Sequence, residues 1–310
     1  MFDFHRLPPS FQIFLFLFIV LFSSLLFLIG GYLVLLFYFD INLFENESVN
    51  GLLADPAFAG KLKFLQLIQH LGTFIAPPLV FALLINRSPF SFLSLHRKPA
   101  IILCLTASFS IIALLPFVNY LALINGDLSL PDFLSPVENW MRESEQSAQN
   151  MAEQFLKAHT ITDLFVNLLI IAIVPAIGEE LVFRGVIQQI AIKITGKIIV
   201  SIIITAFLFS ALHMQFFTFL PRFILGIILG YVFYASGNLW VSICAHFANN
   251  GFGVVAYYLM EKNLLTEENL NPDTIGIGQG QWWVALFSAV AALFFLFPFY
   301  GKKPLSNEPK

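Results

Sequence analysis

Apolar runs of about 20 residues or more recur along this chain of 310 residues and limit its fold more than any other feature. A helix rising 1.5 Å per residue needs about 20 such residues to cross a hydrocarbon core roughly 30 Å thick. With 58% hydrophobic residues, 11% charged residues and 37 phenylalanines, the chain has too little polar surface to cover a soluble globule. The sequence therefore predicts an all-α polytopic membrane protein, embedded in a lipid bilayer and without a nucleic-acid partner.

The apolar runs predict about eight membrane-embedded helices. The expected spans are residues 11–38, 62–86, 99–124, 163–190, 198–214, 218–235, 239–260 and 281–299. The first run is too long for the apolar core of a signal peptide, so we expect it to be a retained helix.

Charge is distributed unequally between the two sides of the predicted bundle. Ten of the 16 basic residues fall on one side: Arg6, Arg87, Arg97, Lys98, Arg184, Lys193, Lys197, Lys302, Lys303 and Lys310. Fifteen of the 19 acidic residues fall on the other side, in segments 40–55, 127–163 and 261–273. The positive-inside rule makes the basic side cytoplasmic. Both termini are then cytoplasmic, and the composition resembles that of a bacterial inner-membrane protein.

The longest connecting loop, residues 125–162, mixes apolar and charged residues at helical spacing. This pattern predicts either an amphipathic helix on the outer membrane surface or a solvated connector containing one helix. Within the spans, Pro77-Pro78 and Pro175 should kink their helices. Gly226 and Gly230, four residues apart, should allow close helix packing.

Three polar patterns interrupt the predicted spans. They are Glu179-Glu180-Leu-Val-Phe-Arg184, Phe209-Ser-Ala-Leu-His213 and His246-Phe-Ala-Asn-Asn250. A charged side chain in hydrocarbon costs about 2.5 to 3.5 kcal/mol on insertion scales, so the first pattern needs a reason. Glu180 and Arg184 share a helix face, whereas Glu179 is rotated by roughly 100° from Glu180. The arginine can therefore neutralise Glu180 while Glu179 points elsewhere.

The depth of these side chains in the membrane decides whether they can meet. If the fourth and fifth helices turn near Gly196, Glu179 and His213 both lie some 25 Å from the turn. His246 and Asn250 lie roughly 10 to 16 Å into the seventh helix. These heights agree if the hairpin projects about one to two helical turns beyond the membrane surface. On that basis we expect the four side chains to converge.

The alternative is a purely structural role, in which the polar groups only stabilise the packing of the helices. Glu180 and Arg184 would form a buried pair, and the histidines would bind backbone or hydroxyl groups. Three patterns at compatible depths favour a functional site, because ionisable residues inside membranes are usually functional. Two other residues are expected to stay outside it: His70, alone in the second span, and Arg222, whose side chain should extend to the outer surface.

In this order on successive helices, EExxxR, FxxxH and HxxxN resemble the motifs of the CAAX protease and bacteriocin-processing family of intramembrane endopeptidases, also called the abortive-infection family. The segment Gly237-Asn238-Leu239-Trp240 before the third motif adds to the resemblance, which covers about Leu164 to Tyr258. We therefore expect three regions. The N-terminal part, residues 1–160, contains three spans and the outer loop. Residues 161–260 form a protease core, and residues 261–310 form the last span and a cytoplasmic tail.

The resemblance implies a role for each matching residue. Glu179 would activate a water molecule for attack on a peptide carbonyl, and His213 would assist as a general base or orienting group. His246 and Asn250 would stabilise the tetrahedral oxyanion. Three further residues would support the site: Glu180, Arg184 and Phe209. Glu180 and Arg184 would hold the first motif in shape.

The sequence alone does not decide whether a metal ion takes part in the reaction. Glu179, His213 and His246 would supply a Glu-His-His set that zinc is known to accept, with water in the fourth position. No HExxH signature is present, and HxxxN is more typical of a pair of hydrogen-bond donors, so we expect no obligatory metal.

The predicted function is hydrolysis of a peptide bond in a membrane-associated peptide or protein. Two alternatives make different use of the same residues. A proton-coupled transporter would use the glutamates and histidines as a relay, although the first three spans carry no counterpart of the motifs. A non-catalytic immunity or scaffold protein would keep only the fold.

Overall fold

The computed structural model describes residue 4 and residues 7–42, 58–264 and 282–301. These residues are mostly helical and contain no strand, which confirms the all-α prediction. The helices are α1 (Pro9–Tyr38), α2 (Gly60–Ile85), α3 (Ile101–Gly126), α4 (Ser135–Leu156), α5 (Ile161–Thr195), α6 (Ile198–Ala211), α7 (Phe219–Ser236), α8 (Leu239–Glu261) and α9 (Trp282–Phe299). Single turns form at Pro89–Phe92 and Asp132–Leu134.

Seven helices of the described chain are long and apolar enough to cross a membrane, so the protein is an integral membrane protein. The fifth predicted span, 198–214, is the exception. Its helix α6 has only 14 residues, about 21 Å, which is shorter than a hydrocarbon core of roughly 30 Å. The helix ends at Ala211, and His213 lies in the turn that follows.

Both ends of the described chain lie at one end of the bundle. Phe16 of α1 packs in a cluster with Leu239, the first residue of α8. Phe299 of α9 packs with Ala235, at the end of α7. Arg6, Lys302, Lys303 and Lys310 lie outside the described residues, as do the acidic segments 43–57 and 265–281. The cytoplasmic location of the termini, like the three-region division of the chain, stays a prediction.

The prolines for which the sequence predicts kinks each follow a π-helical turn. Leu71–Ile75 forms such a turn just before Pro77, and Leu168–Ile173 forms another just before Pro175. Proline has no N–H, so Pro175 cannot donate to the carbonyl of Ile171, four residues earlier. The wider π turns accommodate the prolines within continuous helices.

Gly226 and Gly230 pack closely against neighbouring helices, as the sequence predicts. A Cβ at Gly226 would lie 3.0 Å from Cβ and 3.1 Å from Cα of Ala206 on α6. A Cβ at Gly230 would lie 2.8 Å from the Gln188 side-chain oxygen. The backbone of α7 can therefore approach α5 and α6 closely.

Helix α4 confirms the predicted helix in the outer loop, and it is bound to the loop between α6 and α7. Glu145 Oε2 accepts a hydrogen bond from the Phe217 amide at 3.1 Å, and Oε1 accepts one from the Thr218 hydroxyl at 2.7 Å. The rings of Trp140 and Phe216 lie 5.3 Å apart. This helix therefore covers the end of the bundle at which α6 and α7 are joined.

Glu138 fixes the first turns of α4. Its Oε2 accepts a hydrogen bond from the Leu130 amide at 2.8 Å, and its Oε1 accepts two from Arg142 at 2.9 and 2.7 Å. The bonds from Leu130 and Arg142 lower the pKa of Glu138. The carboxylate therefore remains charged and keeps α4 attached to the segment before it.

The packing of α7 predicts that Gly226→Ala destabilises the protein by about 1 to 3 kcal/mol, because the added methyl group meets the backbone of α6. Gly253→Ala on α8 is the matched control, since a Cβ there meets no atom within 4 Å. Thermal unfolding of both variants in detergent measures the difference. Equal stability of the two variants would contradict the close approach of α6 and α7.

Candidate active site

A cavity of about 100 Å³ lies inside the bundle, between α3, α5, α6, α7 and α8. Polar side chains from four of these five helices, or from the turns next to them, face it. Its lining residues are Ile111, Glu179, Phe209, His213, Arg222, Leu225, Leu229, Ala245, His246, Asn249 and Asn250. The four side chains that the sequence predicts to converge therefore line one cavity.

Glu180 is fully buried and holds two cationic or potentially cationic side chains. Its Oε1 accepts a hydrogen bond from Arg184 Nη1 at 2.8 Å and one from His246 Nδ1 at 2.9 Å. The side chains of Glu180 and Arg184 are both 0% exposed. The sequence predicts the Arg184 pair, but the bond to His246 joins the first motif directly to the third.

Arg184 is held by three further features of the fold. It lies in a π-helical turn, Phe183–Ile187. Its Nη2 donates to the carbonyl of Gly226 at 2.9 Å, and its guanidinium lies 4.9 Å from the centre of the Phe209 ring. The buried charge is thus matched by a carboxylate, a carbonyl and an aromatic face, which a lone buried cation would lack.

Glu179 has the opposite environment. Its side chain lines the cavity and is 13% exposed, whereas that of Glu180 is sealed. Its Oε2 lies 3.7 Å from His246 Nε2, too far for a direct hydrogen bond. The rotation between adjacent helical residues therefore separates the two carboxylates as the sequence predicts. One is structural in its contacts, and the other faces the cavity.

Gly178 allows α2 to approach this part of α5. A Cβ at Gly178 would lie 2.8 Å from Cβ of Phe74 and 3.1 Å from Nε2 of His70. The His70 ring stacks on Phe74, and His70 is close enough to His246 to interact with it electrostatically. His70 does not line the cavity, as the sequence predicts, although it packs against Gly178. The missing side chain of Gly178 is the sequence feature that could have indicated this contact.

His213 is oriented by the end of α6. Its Nδ1 lies 2.7 Å from the carbonyl of Phe209, which can only accept a hydrogen bond, so Nδ1 carries the proton. In the neutral ring, Nε2 then has a lone pair. Phe209 also contacts both histidines, with ring centres 5.1 Å from His213 and 5.8 Å from His246. It acts as the spacer between them.

Asn250 is bound to two neighbours in the cavity wall. Its Nδ2 donates to the carbonyl of Ile171 at 3.4 Å, and its Oδ1 accepts from Asn249 Nδ2 at 3.1 Å. Ile171 is the residue whose carbonyl Pro175 cannot reach with an N–H. The proline thus leaves an acceptor that orients Asn250. Sequence reasoning missed Asn249, although it stands next to Asn250 in the third motif.

Arg222 also lines the cavity, so the expectation that it extends to the outer surface is wrong. Its Nη1 donates to the hydroxyl and the carbonyl of Thr218, the latter at 3.5 Å. These acceptors belong to the loop that α4 covers. They hold the guanidinium beside the cavity, where a side chain on an uncovered helix end would turn towards water.

The hairpin between α5 and α6 has the depth that convergence requires. A Cβ at Gly185 would lie 3.7 Å from the side chain of Leu239, the first residue of α8. Gly196, at the tip of the hairpin, is eleven positions further along the chain. The tip therefore extends beyond the start of α8.

The Glu-His-His set that the sequence offers to zinc does not fit the geometry. Among the described residues, no three histidine, cysteine, aspartate or glutamate side chains come together closely enough to hold a metal ion. Glu179, His213 and His246 share the cavity without forming such a group.

The fold and the cavity define an all-helical membrane protein with carboxylate, imidazole and amide groups gathered inside the bundle. Residues 161–252 match the family model described as Type II CAAX prenyl endopeptidase Rce1-like, and all three motifs fall in this segment. The match confirms the resemblance to the CAAX protease and bacteriocin-processing family over these residues. It supports a CAAX-type intramembrane protease in general. Neither the curated proteins nor the solved structures compared with the chain gave a match.

The contrast between the adjacent glutamates gives a stability prediction. Glu180→Gln should destabilise the protein by about 3 to 5 kcal/mol, because Arg184 would remain buried without its counter-charge. Glu179→Gln removes a charge that pairs with no arginine and should leave stability unchanged or higher. Thermal unfolding of both variants in the same detergent compares them. A larger loss for Glu179→Gln would contradict this assignment of the two carboxylates.

Proposed function

We propose that this protein is an intramembrane endopeptidase that cleaves a membrane-associated peptide with a water molecule activated by Glu179. One observation carries the proposal: Glu179, His213, His246 and Asn250, from three separate parts of the chain, line one cavity inside the bundle. The protease family match of residues 161–252 agrees with it.

Glu179 is the proposed base. It is the carboxylate that faces the cavity, and Arg184 pairs with Glu180 instead, so Glu179 can accept a proton from water and later release it. His213 assists, because its ring lines the same cavity and Nε2 has a lone pair once Nδ1 is bonded to the Phe209 carbonyl. The water proton then moves to Glu179 as the oxygen attacks the peptide carbonyl.

His246 and Asn250 are the proposed oxyanion donors. Glu180 accepts a hydrogen bond from His246 Nδ1 and so fixes the ring with Nε2 facing Glu179; when the ring carries both protons, Nε2 donates towards the cavity. Asn250 has a second amide hydrogen besides the one directed at the Ile171 carbonyl. Donors fixed before the reaction stabilise the developing negative oxygen without having to reorganise.

The substrate is proposed to be a peptide or protein segment held at the membrane. The cavity extends towards the loop between α6 and α7, which lies at the opposite end of the bundle from the described chain ends. With the termini in the cytoplasm, as the charge distribution predicts, this end faces away from the cytoplasm. A bacterial inner membrane with this orientation is part of the proposal.

Glu179→Gln should abolish cleavage of a fluorogenic membrane peptide by the purified protein in liposomes, because the glutamine amide cannot accept the water proton. His213→Ala should also reduce cleavage, by about 10² to 10⁴, the usual contribution of general acid–base catalysis. His159→Ala is the matched histidine control, since His159 pairs with Glu261 on the surface. Full activity of Glu179→Gln would refute the proposed base.

Asn250→Ala should lower kcat by about 10² to 10³, the usual effect of losing one oxyanion donor, and should change KM little. The same liposome assay, with substrate varied, separates the two constants. An equal rise in KM with kcat unchanged would show that Asn250 binds substrate in its ground state and would contradict the oxyanion role.

The alternatives lead to different outcomes in these assays. A transporter would show proton or solute uptake into proteoliposomes that is lost in Glu179→Gln, without cleavage. A scaffold or immunity protein would keep its biological function in Glu179→Gln and in His213→Ala.

A further inference from the structure

Arg222 is the charged side chain at the cavity that the proposed chemistry leaves unused. It lies one turn into α7 and lines the cavity together with Glu179 and His213. It is close enough to both residues to interact with them electrostatically. A cation enclosed at a cavity inside the bundle is costly unless it binds a partner, so its position beside the reacting groups calls for a reason.

The contacts of Arg222 leave part of its guanidinium unused. Nη1 donates to Thr218, whose hydroxyl in turn donates to Glu145 of α4 at 2.7 Å. No carboxylate of the described chain lies within ion-pair distance of Arg222, and Nε and Nη2 make no hydrogen bond to another described residue. One edge of the guanidinium is therefore fixed by the loop, and two donors remain for a ligand.

Unused guanidinium donors in a confined site suit one kind of group best. The planar fork of arginine matches the two oxygens of a carboxylate, and such bonds are among the strongest that a protein makes. The cavity that Arg222 lines also contains Glu179 and His213, so a carboxylate bound by Arg222 would lie beside the proposed reacting groups. Arg184 cannot serve in this way, because it is sealed against Glu180.

We propose that Arg222 binds a carboxylate of the peptide substrate and so places the scissile bond beside Glu179. The inference rests on the proposed peptidase function and adds the chemistry of substrate recognition to it. The carboxylate has two sources in a peptide, the chain end and an aspartate or glutamate side chain. The first is favoured by the loop at Thr218 and by α4, which close the bundle beyond Arg222 and leave little space for a continuing chain.

The test is a cycle of enzyme and substrate changes. The assay compares wild type with Arg222→Gln and Arg222→Lys in liposomes. Each protein is given three forms of one peptide. The first form has a free C-terminal carboxylate, the second has a C-terminal amide, and the third has its acidic side chains changed to amides. Wild type should cleave the free acid about 10 to 100 times more efficiently than the amide, the range expected for a hydrogen bond to a charged group.

Arg222→Gln should reduce kcat/KM for the free acid by the same factor and should leave the amide within about threefold of wild type, because the amide never uses the missing charge. Arg222→Lys should keep part of the preference, since it retains the charge without the fork. If the preference follows the acidic side chains and not the chain end, the carboxylate comes from a side chain, and Arg222 still binds it.

An equal loss on all three peptides would overturn the inference, because Arg222 would then support Glu179 or the fold. Equal cleavage of all three peptides by wild type would overturn it too. Arg87→Gln, on an exposed cation that does not line the cavity, controls for loss of charge alone. If Arg222→Gln does not fold, two results still test the inference: the preference of wild type for the free acid over the amide, and the partial loss of that preference in Arg222→Lys. A wild-type protein that cleaves no peptide refutes the proposed function as well, whereas cleavage without preference refutes only this inference.

Discussion

The hydrogen bonds of Glu180 to Arg184 and His246 are the interactions on which the rest of the site depends. Inside a bilayer, a charged side chain without a partner is disfavoured by several kcal/mol, so the carboxylate, the guanidinium and the imidazole must stay together. This fixes α8 against α5 and turns His246 Nε2 towards Glu179. The adjacent glutamate is left as the carboxylate at the cavity. Two neighbouring residues of the same type thus acquire different tasks from their position on one helix.

Backbone irregularities supply the remaining geometry. Pro175 withholds a hydrogen bond from Ile171, and the freed carbonyl receives Asn250. The early end of α6 places His213 in a turn within the bundle, where the Phe209 carbonyl orients its ring. Helix α4 holds the next loop through Glu145 and thereby fixes the acceptors of Arg222. Departures from regular helix are frequent at functional sites, and those next to Asn250 and His213 each position a polar group.

Much of this could be predicted from the sequence, because it depends on local periodicity. The lengths of the apolar runs predicted the membrane spans. The i,i+4 spacing of Glu180 and Arg184 distinguished Glu180 from Glu179. The contacts of Arg222 and Asn249 could not be predicted, since they depend on the tilt and rotation of one helix against another. Within the described segments, three π-helical turns change that rotation, and their positions have no simple sequence signal beyond a nearby proline in two cases. The bond between Glu180 and His246 joins residues 66 positions apart and was missed for the same reason.

A structure of the protein in lipid nanodiscs with a bound phosphonate peptide, which imitates the tetrahedral intermediate, tests the central claim most directly. The account predicts that the phosphonate oxygens contact Glu179, His246 and Asn250, while Glu180 remains sealed between Arg184 and His246. A phosphonate bound elsewhere, or a Glu179 carboxylate turned into the lipid with Glu180 facing the inhibitor, would contradict it.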